Sequence, residues 1–137
     1  MAVVVDTGVL VSAADLDEPR HKSCAELLRS LAGDLFVPAP VVPEAAWLID
    51  ARLGPAAEIA FLGLITSGEL EVVDLGQAEY QRCVELIGTY ADLGLGLVDA
   101  SVVIVAENLR AVTLATLNHR DFNVVRPAHT EVFELVP

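Results

Sequence analysis

The chain has 137 residues, 54% of them apolar, and sets 20 aspartates and glutamates against 8 lysines and arginines, a formal net charge of −12. This length and apolar content suit one domain with a real hydrophobic core, residues 1–137, and exclude disordered, collagenous and disulfide-rich classes. The acidity argues against a nucleic-acid binder with a basic face, unless some acids surround divalent cations that invert the local field.

Ala2–Val5 is a β-branched apolar run and predicts a buried parallel strand. Thr7-Gly8 breaks it, and Val9–Ala14 reads as a short helix. Pro19–Leu31 spaces Cys24, Leu27, Leu28 and Leu31 helically, with Gly33-Asp34 as the stop. Leu35–Val37 reads as a second strand, and Pro40–Leu53 as a helix opened by proline. Gly54-Pro55 starts another helix to about Thr66, followed by a third strand, Leu70–Val73. Gln77–Tyr90 and Leu97–Leu109 are helical, Ala111–Thr116 is a fourth strand, and Thr130–Leu135 a fifth. This alternation predicts an α/β fold with a mainly parallel central sheet of four to five strands, whose ligands bind at the strands' carboxyl ends. No apolar run approaches the roughly 18 residues of a membrane span. Met1–Val5 lacks the pattern of a secretory signal, so a cytoplasmic protein away from membranes is expected. Cys24 and Cys83 lack a CxxC partner and read as buried thiols.

Asp6 directly follows the first strand and reads equally as a site carboxylate or as a helix N-cap. Glu44 stands in the first turn of a helix, where an acid also suits the helix dipole. Asp99 is the one acid in the apolar run Leu95–Val105. Buried there unpaired it is costly, which points to a cation or several donors more than to a helix cap. Thr116–Phe122 sets Asn118, His119, Arg120 and Asp121 after the fourth strand, as functional groups or as a polar turn. Asp6, Glu44, Asp99 and Asn118/Asp121 lie in separate segments that an α/β sheet can bring together, and hard oxygen ligands of this kind suit Mg²⁺ or Mn²⁺.

Four segments resemble the PIN-domain family: VVVDTGVLVSAAD its first strand with Asp-Thr, VVPEAAWLI its helix-borne Glu, YADLGLGLVDASVVIVAENL its Asp-Ala-Ser helix start, and VTLATLNHRDF its last strand and acidic turn. The nearest subgroup resembles the VapC toxins of bacterial toxin–antitoxin pairs. The resemblance implies a PIN-like three-layer sandwich and a Mg²⁺- or Mn²⁺-dependent ribonuclease. It assigns Asp6, Glu44 and Asp99 to the acidic metal site, with Asp6 and Asp99 as metal ligands and Thr7 as a supporting hydroxyl. Asn118 departs from the pattern, since many members carry Asp there; Asp121, three residues on, is the compensating acid, and a second metal is in question. The resemblance also implies an RNA substrate, a cognate antitoxin and a homodimer, for which the apolar face of Ala56–Leu64 is a candidate beside ordinary core packing.

The chemistry such a site suits is metal-assisted hydrolysis of a phosphodiester. Arg20 and Arg120 are candidates for substrate phosphate, against a solvated surface role. Two readings compete. A phosphatase with Asp6 as nucleophile wants a second Asp two residues on, where Gly8 stands. A catalytically degenerate PIN-fold binding module would keep the fold with a site broken at Asn118.

Overall fold

Val3, Val4 and Val5 are each 0% exposed, which a strand achieves only when both faces of its sheet are covered. A computed structural model describes residues 1–137 and places this strand, β1 (Val3–Val5), at the centre of a five-stranded sheet. The strand order is β3-β2-β1-β4-β5, with β2 at Leu35–Pro38, β3 at Leu70–Val73, β4 at Thr113–Ala115 and β5 at Glu134–Val136. Every pairing is parallel: Val3 faces Leu35 on one side and Thr113 on the other, and β3 and β5 form the edges.

The helices are α1 (Thr7–Ala14), α2 (His21–Ser30), α3 (Val41–Leu53), α4 (Pro55–Thr66), α5 (Gln77–Thr89), α6 (Leu97–Leu109) and α7 (His119–Val124). Helix α6 lies against β1 and β2, and Ala100–Ala106 is buried along its whole length, so the apolar run around Asp99 is core. α1 packs on α2 and α3, and α3 on α4. The result is the three-layer α/β arrangement expected, with one continuous apolar cluster from Val3 to Phe133. No helix is long and apolar enough to cross a membrane. Cys24 and Cys83 are both buried free thiols, and burial raises both their pKa values.

Several boundaries differ from expectation. α1 begins at Thr7 rather than Val9, because Asp6 caps it through its side chain. β4 is confined to Thr113–Ala115, and β5 begins at Glu134 rather than Thr130 and ends at Val136. The segment after β4 is more than a polar turn: Asn118 caps the short helix α7, which is anchored by Phe122 at 0% exposure.

The order 3-2-1-4-5 reverses the winding direction between β1 and β4. The connections leaving their carboxyl ends therefore part to opposite faces and leave a crevice at the topological switch point, where open parallel sheets bind ligands.

Candidate active site

Asp6 leaves β1 at this crevice. Its backbone amide donates to the Ala115 carbonyl at 2.9 Å, tying it to the end of β4. Its carboxylate accepts from the Thr7 amide through Oδ1 at 2.8 Å and from the Thr116 hydroxyl through Oδ2 at 2.9 Å. Asp6 is thus the helix cap and a strand-end acid at once. Each oxygen keeps a further lone pair, since an ionised carboxylate offers about four acceptor sites. Burial raises its pKa most, the two hydrogen bonds lower it, and Glu44 raises it further.

Asp99 occupies the first turn of α6. Its carboxyl is pushed up to about 6, first by burial, then by the charges of Asp6 and Asp121, with Glu44 adding a smaller push and the Gly96 backbone pulling the other way. An acid used mainly as a helix cap gains donors and becomes more acidic; Asp99 does the reverse. Glu44 is exposed in the first turn of α3, and its charge acts on both Asp6 and Asp99.

Asn118 and Asp121 form a reciprocal pair. Asn118 Oδ1 accepts from the Asp121 amide at 3.3 Å, and Asn118 Nδ2 donates to Asp121 Oδ2 at 2.9 Å. Arg120 Nε donates to Asp121 Oδ1 at 3.1 Å. These bonds, Asn118 first, hold Asp121 below the usual carboxylate range, so it stays ionised and its charge reaches Asp99. Asn118 is therefore engaged in local capping, and the charge on this side of the crevice is carried by Asp121.

The fold brings Asp6, Glu44, Asp99 and Asp121 around one crevice without closing them on a point: no three His, Cys, Asp or Glu side chains are gathered into an ion-binding set. The donors are all hard oxygens at an open edge, a pattern that suits Mg²⁺, which keeps several waters and takes only one or two carboxylates. The Thr7 hydroxyl, next to Asp6 in the chain, is buried with no protein hydrogen-bond partner. The residues present fit a hydrated divalent cation.

The two arginines separate. Arg120 is on α7 beside Asp121, 85% exposed at its side chain. Arg20 is exposed ahead of α2 and does not line the cavity beside Gly8. Sequence reasoning also missed Thr116, whose hydroxyl both orients Asp6 and accepts from the Asn118 amide at 3.0 Å. Its place at the end of β4, paired in the sheet with β1, was the available signal.

Comparison with known proteins bears on the family and the fold. Ribonuclease VapC26 of Mycobacterium tuberculosis is 33% identical over 135 residues, spanning 98% of this chain and all of the relative. The crystal structure of VapC20 from the same organism, a sarcin-ricin loop cleaving toxin, superposes with a TM-score of 0.83 at 18% identity, covering 95% of this chain and 99% of that one. A toxin–antitoxin complex from Klebsiella pneumoniae contains a chain that superposes with a TM-score of 0.66 at 19% identity, covering 88% and 90%. The PIN domain pattern itself matches residues 3–126, which contain every acid of the crevice. The chain belongs to the PIN domain family.

Proposed function

We propose that this protein is a ribonuclease, the toxin of a toxin–antitoxin pair, and that it hydrolyses RNA with Mg²⁺ or Mn²⁺ held at the β1/β4 crevice. The observation that carries the reading is the crowding of Asp6, Asp99, Asp121 and Glu44 around one strand-end crevice, with Asp99 strained enough to be pushed up to about 6. Like charges assembled at such cost are a mark of functional sites. The full-length ribonuclease relative supports the same activity.

In this reading Asp6 and Asp99 hold the cation, and Glu44 and Asp121 orient water around it. Thr116 fixes the Asp6 carboxylate by its hydrogen bond, and Asn118 fixes Asp121. Bound there, the cation supplies a more acidic water and a positive field for the substrate phosphate. That cation gives a polyanion a point of attraction on a chain whose net charge of −12 otherwise repels it.

The antitoxin is assigned to an apolar trough between α1, α2 and α4. Two adjoining cavities, of about 360 and 230 Å³, share Ala13, Leu28 and Leu64 and are lined mainly by apolar side chains, with Arg29 and Glu69 on the larger. Such a trough suits the apolar face of an amphipathic helix. The outer face of α4 leaves Ile59 70% and Leu62 38% exposed, which suits a second copy of the chain. A cytoplasmic location goes with the RNA substrate.

The test is cleavage of an end-labelled structured RNA in Mg²⁺, in Mn²⁺ and in excess EDTA. Cleavage with either cation, lost in EDTA and restored by adding metal, is expected. Cleavage that persists in EDTA removes the metal from the account. RNA left intact in every condition favours the degenerate binding module instead.

A further inference from the structure

A cleft of about 230 Å³ is lined by Gly8, Val11, Ser12, Leu48 and Leu117, with Glu18 and Arg52 also on its wall. Its lining residues neighbour those of the acid cluster along the chain. Gly8 is two residues from Asp6, Leu117 directly follows Thr116, and a Cβ on Gly8 would lie 3.7 Å from the Leu117 side chain. On α3, Glu44, Leu48 and Arg52 recur at four-residue spacing and share one face. The helix therefore carries an acid at the crevice and a cation about 12 Å farther along the same face.

Arg52, like Arg120 beside Asp121, is tied to its acid by a single hydrogen bond. Arg82 is committed to Glu107 by two hydrogen bonds and to Glu85 by a third, and Arg126 is bonded to backbone carbonyls. Arg52 uses one nitrogen, Nη1, which donates to Glu18 Oε1 at 2.7 Å, and the pair is 44% and 32% exposed at the side chains. The rest of its planar fork makes no hydrogen bond, and such a fork matches the geometry of phosphate oxygens.

We propose that this cleft is the subsite for the nucleotide next to the scissile phosphate, and that Arg52 binds the phosphate at the nucleotide's far side. The inference rests on the ribonuclease reading and deepens it. The apolar wall of Val11, Leu48 and Leu117 takes the sugar and base, for which a cavity smaller than the ~300–1,000 Å³ of drug-sized sites is adequate. Glu18 holds the guanidinium in position in the free chain, and the substrate phosphate takes that carboxylate's place. Both are anionic acceptors, so the exchange leaves Arg52 paired throughout.

The experiment measures anisotropy of a fluorescent phosphorothioate RNA dodecamer, which keeps the backbone charge and resists cleavage, over a NaCl series in Mg²⁺. Steady-state cleavage and thermal melts of the same proteins accompany it. Arg52→Ala should weaken binding about tenfold and make the slope of log Kd against log [NaCl] shallower by about 0.7, the loss of one phosphate contact on a single strand. Its KM should rise with kcat little changed. Arg52→Lys should restore the slope while recovering only part of the affinity, and Glu18→Gln should tighten binding by freeing the guanidinium. Unchanged affinity and slope in a normally folded Arg52→Ala overturn the subsite. If the parent chain binds through Arg52 but never cleaves, the ribonuclease reading falls and the subsite stands. If the parent cleaves and Arg52→Ala is indifferent, the subsite falls alone.

Discussion

At the start of α6, burial of the Asp99 carboxyl, with the charges of Asp6, Asp121 and Glu44 adding to it, moves its pKa from 3.8 up to about 6. A raised carboxyl pKa means that folding favours the protonated form. Its stabilising contribution is full below pH 3.8 and lost as pH rises through about 6. In EDTA, the urea midpoint of the parent protein should therefore fall between pH 4 and pH 7 relative to that of Asp99→Asn, which has no such proton to lose. Parallel midpoint curves for the two proteins would contradict the strain assigned to this acid. The sequence made Asp99 conspicuous because a single acid interrupts an aliphatic helix. It could not reveal that the hydroxyl bonding the Asp6 carboxylate is that of Thr116 and not that of Thr7, since that contact joins residues 110 apart in sequence. Arg52 was equally hidden: an arginine in the last turn of a helix is explained well enough by the helix dipole.

At the level of elements, the strongest local patterns were read directly. α6 spans Leu97–Leu109 and β3 spans Leu70–Val73, as their apolar runs predict. α7 was not legible because it has six residues of mixed polarity, and its order comes from Phe122 inserted in the core and from the Asn118 cap. β5 was displaced because Thr130–Phe133 has the right residue types, yet only Glu134–Val136 aligns with Thr113–Ala115 of β4. Gly54 between α3 and α4 was read as a break, and the structure gives its reason: φ is 87° and ψ 178°, a region essentially reserved for glycine. Its amide caps α3 by donating to the Asp50 carbonyl at 2.8 Å, so the turn sets how α4 leaves α3. Gly54→Ala should cost about 1–3 kcal/mol of stability, read as a lower urea midpoint with unchanged metal affinity. A midpoint equal to that of the parent would show that the turn relaxes freely.

Over the whole molecule, the all-parallel sheet places each acid of the crevice by topology. β1 delivers Asp6, the helix after β2 delivers Glu44, α6 lays Asp99 across β1 and β2, and the segment after β4 delivers Asp121. Four acids distant in sequence thus meet at the one crevice where the winding reverses. This also explains why a chain of net charge −12 suits a polyanionic substrate: the proposed cation supplies the local field that the composition lacks. The most direct test is cleavage of a structured RNA by the parent chain and by Asp99→Asn in Mg²⁺ and in Mn²⁺, with a thermal melt of each. Asn preserves the shape of the side chain and serves well as a helix cap, but removes the charge a cation needs. The account predicts loss of cleavage in both metals, with a melting temperature in EDTA equal to or above that of the parent. An Asp99→Asn protein that melts normally and cleaves RNA at the parent rate would contradict it.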